Sequence, residues 1–174
     1  SNFKECGIKH YYISINYKKD LLIQYFKKRE NVKLQFIIEK KPLGTIGSLS
    51  LLKEKIKTDF FVTNCDIAAN INPAAILDFH KKQNNKITII TSIFENNIPY
   101  GVCDIDKKGN LKKIIEKPDF KNLINIGTYL FDKNILKLLK KNQNINANDS
   151  FELAKKKKIK IGVYPIKANE WVDI

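Results

Sequence analysis

Apolar runs of strand length alternate with segments of helical period along the chain. Tyr11-Tyr12-Ile13-Ser14-Ile15-Asn16 and Leu34 to Glu39 are rich in aromatic and β-branched residues and read as strands. Between them Asp20 caps a helix with Leu21, Leu22, Tyr25 and Phe26 on one face. Pro42-Leu43-Gly44-Thr45 breaks the chain and opens a helix through Leu49 and Leu52. Phe60-Phe61-Val62-Thr63 is a short buried strand ending on polar Asn64-Cys65-Asp66. Asn72-Pro73 pairs a cap residue with proline at the first helical position, and the helix runs to about Gln83. Lys86 to Ile93 is a strand, and Val102–Ile105 and Leu111–Ile115 flank the hairpin turn Asp106-Lys107-Lys108-Gly109-Asn110. Asn125 to Phe131 is a strand, Ile135 to Leu139 a helix, Asn142 to Asp149 a polar loop and Ile159 to Tyr164 a late strand.

Strands alternating with helices imply an α/β layered domain with a mostly parallel sheet, which the hairpin makes mixed. No repeat and no linker interrupts the 174 residues, so residues 1–174 read as a single domain. Its length suffices for a real core, and 43% hydrophobic residues exclude a disordered chain. The longest apolar runs are too short to span a bilayer, and no signal-peptide pattern opens the chain. Cys6, Cys65 and Cys103 lack metal-site spacing and read as reduced thiols of a cytoplasmic protein.

The net charge of +14 invites a nucleic-acid reading. Against it, Arg29 is the single arginine, and base readout and phosphate forks favour arginine. Lysine, isoleucine and asparagine are enriched together, as drift toward A- and T-rich codons would produce. The expectation is therefore no nucleic-acid partner and no membrane.

In open α/β sheets ligands gather outside the carboxyl ends of strands. Four constellations lie there. Gly44 and Gly47 flank Thr45 at a strand-to-helix turn, where backbone N–H groups can meet a ligand or where a helix simply packs closely. Asp66 ends a buried strand and suits either Mg²⁺ or loop capping. Tyr100-Gly101, Glu116-Lys117-Pro118 and Asn125-Ile126-Gly127 offer the hydroxyl, carboxylate, ammonium and amide that a phosphorylated polyol needs. Each is equally ordinary alone, Glu116-Lys117 as a solvated charged pair. Trp171-Val172-Asp173-Ile174 places an aromatic two residues before an aspartate.

In this order the segments resemble the sugar-phosphate nucleotidyltransferase family, and within it the hexose-1-phosphate guanylyltransferase-like branch. Leu43-Gly44-Thr45-Ile46-Gly47-Ser48-Leu49 is similar to the branch's Leu-Gly-Thr-Ala-Gly-Ala-Leu, Phe60 to Asp66 to its strand ending in Asn-Gly-Asp, and Trp171 to Ile174 to its Trp-x-Asp-Ile-Gly. Pro99-Tyr100-Gly101-Val102, Glu116-Lys117-Pro118 and Asn125 to Tyr129 follow in the family's order.

The resemblance implies a three-layer Rossmann-like fold and transfer of a nucleotidyl group from a nucleoside triphosphate, GTP in this branch, to a hexose 1-phosphate. Pyrophosphate is released, for nucleotide-sugar biosynthesis. It implies catalytic roles for Asp66, Lys117 and Asp173, with Asp66 and Asp173 holding Mg²⁺. Gly44, Thr45 and Gly47 would contact the nucleoside, and Tyr100, Gly101, Glu116, Asn125 and Gly127 the sugar phosphate.

The chain departs from the family in four places, one of them the stretch Asn142 to Lys158, which has no clear counterpart. The Gly-x-Gly-Thr-Arg signature that would precede the first strand is not among these residues, so the first βα unit is expected to be missing. Cys65 replaces a glycine beside Asp66, and the final glycine after Ile174 is not reached. Without the signature's triphosphate clamp the 174 residues are expected not to turn over alone, and a second chain would cover the open sheet edge as a homo-oligomer. The alternative is a non-catalytic relative that binds a nucleotide sugar as a sensor or partner. A glycosyltransferase ranks lower, because Asp104-Ile105-Asp106 sits at the hairpin entrance rather than after Phe60–Thr63.

Overall fold

The computed structural model describes residues 2–27 and 33–174; Arg29 lies outside them. The chain opens with a short helix α1 (Asn2–Glu5), then β1 (His10–Ile15), α2 (Lys19–Lys27) and β2 (Lys33–Ile38). Helix α3 (Gly44–Gly47) continues as a 3₁₀ segment over Ser48–Leu52. β3 (Phe60–Thr63) and β4 (Ile67–Ala69) precede α4 (Pro73–Lys82) and β5 (Ile87–Asn97). β6 (Val102–Ile105) and β7 (Leu111–Ile115) form the hairpin, and β8 (Asp119–Phe131) returns along β5. A 3₁₀ segment over Lys133–Leu138, α5 (Ala147–Lys156), β9 (Ile161–Ile166) and β10 (Trp171–Asp173) complete the chain.

The central sheet has the order β3-β8-β5-β9. β8 is antiparallel to both β3 and β5, and β9 is parallel to β5, so three strands run one way and β8 against them. β1 and β2 pair in parallel as a separate ladder. Among the described residues β1 and β3 each have one strand neighbour.

Alternation along the strands builds the layers, because successive side chains point to opposite faces. Ile87, Tyr129 and Phe131 pack on one side with Leu52, Leu136, Leu139 and Phe151. Ile90, Leu130 and Ile126 face the other, against Ile71, Ile76 and Ile166. Both faces are covered, so the middle of the sheet is buried and mainly apolar, with Thr88, Thr91, Ser92 and Thr128 as buried hydroxyls among the aliphatic side chains. Burial of β5 ends at Ser92; its last five residues and the first five of β8 form an exposed ribbon.

Several expected elements differ in extent. Asp20 falls inside the first turn of α2 rather than at its cap, and Leu21 and Tyr25 are exposed while Leu22, Ile23 and Phe26 are half-buried. The expected helices over 48–52 and 135–139 are 3₁₀ segments. β5 and β8 extend well beyond their apolar cores, since ribbon pairing continues where burial stops. The polar stretch read as a loop to Asp149 enters α5 at Ala147, with the Asp149 carboxylate accepting the Asn146 N–H at 3.0 Å. Asn72 caps α4 as its sequence predicts, its side chain accepting the Ala75 N–H at 3.1 Å.

Candidate active site

β3 delivers Asn64, Cys65 and Asp66 to the carboxyl end of the central sheet. The chain then enters β4, which pairs antiparallel with β10 so that Asp173 lies opposite Ile67. The Ile174 N–H donates to the Asp66 carbonyl at 2.8 Å, which closes this end of the ladder. Two carboxylates far apart in sequence thus come to the same end of this ladder, Asp66 in the turn before β4 and Asp173 on β10, both exposed. Among the described residues no three His, Cys, Asp or Glu side chains gather at one point. In chemistry, a pair of carboxylates supplies the hard oxygen donors that Mg²⁺ would take.

A bulge in β8 builds the next part. Ile90 pairs with Thr128 and Thr91 with Asn125, so one step on β5 spans three on β8. Gly127 takes up the turn at φ +76°, and the Asn64 side chain lies where a Cβ would be, 2.7 Å from Nδ2. The Asn64 N–H donates to the Gly127 carbonyl at 3.0 Å. Asn125 is exposed; its Oδ1 accepts the Gly127 N–H at 2.9 Å and its Nδ2 donates to the Tyr129 hydroxyl at 3.0 Å. Bulges re-aim side chains, and this one ties Asn64, Asn125 and Gly127 into one unit. Burial raises the Tyr129 pKa, partly offset by the Asn125 bond.

Gly101 and Glu116 face each other at the base of the hairpin, with Tyr100 and Lys117 next to them in the chain. A Cβ on Gly101 would lie 3.1 Å from Glu116 Oε2. Lys117 has φ +43° directly before Pro118, whose carbonyl accepts the Ile98 N–H at 3.2 Å. The other described non-glycine residues at positive φ lie in turns; Lys117 lies in a bend. A left-handed lysine before proline is strained, and such strain concentrates at functional positions. Tyr100 is 74% exposed. Eight residues separate Lys117 from Asn125, up to about 26 Å in an extended strand, so the exposed ribbon must curl for both to reach one ligand.

The Gly44–Gly47 turn has a second partner that its sequence did not reveal. A Cβ on Gly44 (φ +75°) would lie 2.7 Å from the Ile145 carbonyl oxygen, and one on Gly47 2.5 Å from that of Gln143. The Ile145 N–H donates to the Leu43 carbonyl at 2.9 Å, the Ala147 N–H to Thr45 Oγ1 at 2.9 Å, and the Thr45 N–H to Asn146 Oδ1 at 3.3 Å. Both glycines therefore have a packing role against residues 143–147, and the exposed Thr45 stands at its rim. From the other side the Glu39 carboxylate accepts the Leu43 N–H at 2.9 Å and a short bond from the Ser14 hydroxyl.

Sequence reading thus missed Asn64, Tyr129, Asn146 and Glu39. Asn64 and Tyr129 lie inside segments that resemble the family's motifs, but only the bulge gives them contacts with Gly127 and Asn125. Asn146 carried a local signal, the Asn-x-x-Asp spacing of a helix start.

The Nucleotidyl transferase family profile matches residues 1–174. The chain is 36% identical over 143 residues to a mannose-1-phosphate guanyltransferase of Yarrowia lipolytica, covering 76% of this chain and 39% of that protein. It is 33% identical over 138 residues to the mannose-1-phosphate guanylyltransferase catalytic subunit beta of Dictyostelium discoideum, covering 75% and 38%. The chain thus spans about two-fifths of the length of these curated relatives. HddC from Yersinia pseudotuberculosis superposes with a TM-score of 0.73 at 24% identity, over 99% of this chain and 76% of that one. The inositol-1-phosphate CTP transferase from T. maritima superposes with a TM-score of 0.68 at 15% identity, over 99% and 73%. On the match along its whole length, the chain belongs to the nucleotidyl transferase family.

Proposed function

We propose that the chain is the transferring part of a sugar-1-phosphate guanylyltransferase that joins GTP to a hexose 1-phosphate of the mannose type. The observation that carries this reading is the pairing of β4 with β10. It sets Asp66 beside Asp173 in a chain whose relatives are named for guanylyl transfer to mannose 1-phosphate.

A phosphate oxygen of the sugar phosphate attacks the α-phosphorus of the triphosphate. The bond from that phosphorus to the bridging oxygen breaks, and pyrophosphate leaves with the electron pair. Asp66 and Asp173 would hold Mg²⁺, which when bound neutralises phosphate charge. The Lys117 ammonium pairs with the sugar phosphate from a backbone held in a fixed, strained conformation. Glu116 and Tyr100 accept and donate hydrogen bonds to sugar hydroxyls, and Gly101 leaves room for the Glu116 carboxylate. Asn125 and Gly127 contribute the amide edge of the bulge. Gly44, Thr45 and Gly47 present backbone to the nucleoside. Positioning and charge stabilisation carry such a transfer, with no covalent step on the protein.

The test is binding of GDP-mannose by titration calorimetry, beside pyrophosphate release from GTP, mannose 1-phosphate and Mg²⁺. Product binding that prefers GDP-mannose over UDP-glucose, with Mg²⁺-dependent binding lost in Asp66→Asn and Asp173→Asn, is the expected outcome. A chain that neither binds GDP-mannose nor releases pyrophosphate refutes the proposal.

A further inference from the structure

We infer that Tyr129 is the positioning residue that turns Asn125 into a hydrogen-bond donor toward an oxygen of the sugar phosphate. This rests on the functional reading above and adds a residue that does not itself touch substrate.

The orientation of the Asn125 amide follows from its neighbours. A backbone N–H can only donate, so the group 2.9 Å from the Gly127 N–H is Oδ1. The Nδ2 end then faces the Tyr129 hydroxyl at 3.0 Å and donates to it. Asn and Gln amides are usually assigned by such networks, and here the Gly127 donor removes the ambiguity. With one Oδ1 lone pair and one Nδ2 proton committed, the remaining Nδ2 proton is what this exposed side chain offers an anionic oxygen, which cannot donate to the second lone pair. Asn125 is thereby a donor to phosphate oxygen.

The bulge makes the contact feasible. In a regular strand residues four apart are separated by about 13 Å. The extra residues at Ile126–Gly127, with Gly127 left-handed, fold Asn125 back toward the hydroxyl. Tyr129 is itself immobilised: it is 4% exposed and packs edge-on against Phe151 and tilted against Phe131. A rigid ring in the core thus holds an exposed amide at the sheet surface, and support of this kind gives a site its precision.

The test uses ¹⁵N-labelled chain with mannose 1-phosphate as probe and Tyr129→Phe as the main variant, which keeps the ring and removes the hydroxyl. In the wild type the two Asn125 side-chain amide protons should be well separated, and in Tyr129→Phe they should collapse toward free-amide positions. Affinity for mannose 1-phosphate should fall about 3- to 10-fold in Tyr129→Phe, the worth of one hydrogen bond. Asn125→Ala should fall at least as far, and the double variant no further than Asn125→Ala, since coupled residues are not additive. Unchanged amide resonances and affinity in Tyr129→Phe, with binding weakened in Asn125→Ala, overturn the positioning role and leave the proposed function standing. A lower urea midpoint with unchanged affinity makes Tyr129 merely structural and overturns it too. Wild-type chain that ignores mannose 1-phosphate overturns both readings together. Should Tyr129→Phe not fold, Asn125→Asp reads the donor directly: its carboxylate can accept the Gly127 N–H but cannot donate, so binding is lost. Retained binding in Asn125→Asp overturns the inference.

Discussion

Replacing Gly47 by alanine sets two effects of opposite sign against each other. Gly47 closes α3 at an ordinary helical φ of −64°, so alanine carries no backbone strain there and should gain about 1 kcal/mol in helix propensity. Its Cβ, however, would lie 2.5 Å from the Gln143 carbonyl oxygen and 3.0 Å from Leu43 Cβ. The first is a backbone atom, so the segment 143–147 must move. Overpacking of this kind typically costs about 1–3 kcal/mol. The same movement loosens the Ile145 N–H to Leu43 bond and the Ala147 N–H to Thr45 bond, each worth about 1 kcal/mol. The net expectation is a loss of about 1–3 kcal/mol. With a urea slope of about 1–3 kcal/mol per molar for a chain of this size, the midpoint should fall by roughly 1 M. Two further glycines separate the contributions. Gly109→Ala meets nothing within 4 Å but has φ +87°, so it should cost about 1–2 kcal/mol from backbone conformation alone. Gly44→Ala combines a positive φ with a 2.7 Å approach to Ile145 and should be the most damaging of the three. Urea titrations followed by far-UV circular dichroism decide the order. A Gly47→Ala chain as stable as the wild type, or more so, would refute the tight seat of α3 against residues 143–147.

Three other outcomes are expected. Phe131 is fully buried between the Phe60 and Tyr129 rings, so Phe131→Ala should cost about 3–5 kcal/mol in a urea titration, a large share of the 5–15 kcal/mol ordinary for a domain. Gly127→Ala, at φ +76° and 2.7 Å from Asn64 Nδ2, should destabilise by about 1–3 kcal/mol and shift the Asn64 and Asn125 side-chain amide resonances together. Burial lowers the pKa of His80, against the pull of Asp59 and Asp132, and its Nδ1 lies 2.8 Å from Thr88 Oγ1. The folded state therefore favours neutral His80. Its contribution is complete above pH 6.5 and declines as pH falls from there toward the lower folded value. The stability difference between wild type and His80→Gln should shrink between pH 7.5 and 5.5; a constant difference would contradict this.

Much of the fold is legible in the residues themselves because strand cores and hairpin turns are local. The aromatic and β-branched run at Phe60–Thr63, the Asn72-Pro73 start and the Asp106–Asn110 turn each declare themselves within a few positions, although Phe60–Thr63 is a half-buried strand rather than the buried one its composition predicts. The order of Gly44-Thr45, Asp66, Glu116-Lys117, Asn125 and Asp173 likewise points to the family with no knowledge of strand pairing. Three-residue strands have no periodicity to read: β4 and β10 exist because each supplies the other's hydrogen bonds across the length of the chain. That pairing alone puts Asp173 next to Asp66. The two glycines of the α3 turn were open to a ligand or a packing reading, and the backbone at 143–145 settled that they at least pack. The bulge at Ile126–Gly127 is equally invisible locally, since it is a mismatch between two strands rather than a property of one. Propensity acts over a turn of chain. Which backbones approach closely, and which side chains they then aim, is decided by burial of both sheet faces at once, and only the tertiary structure carries that.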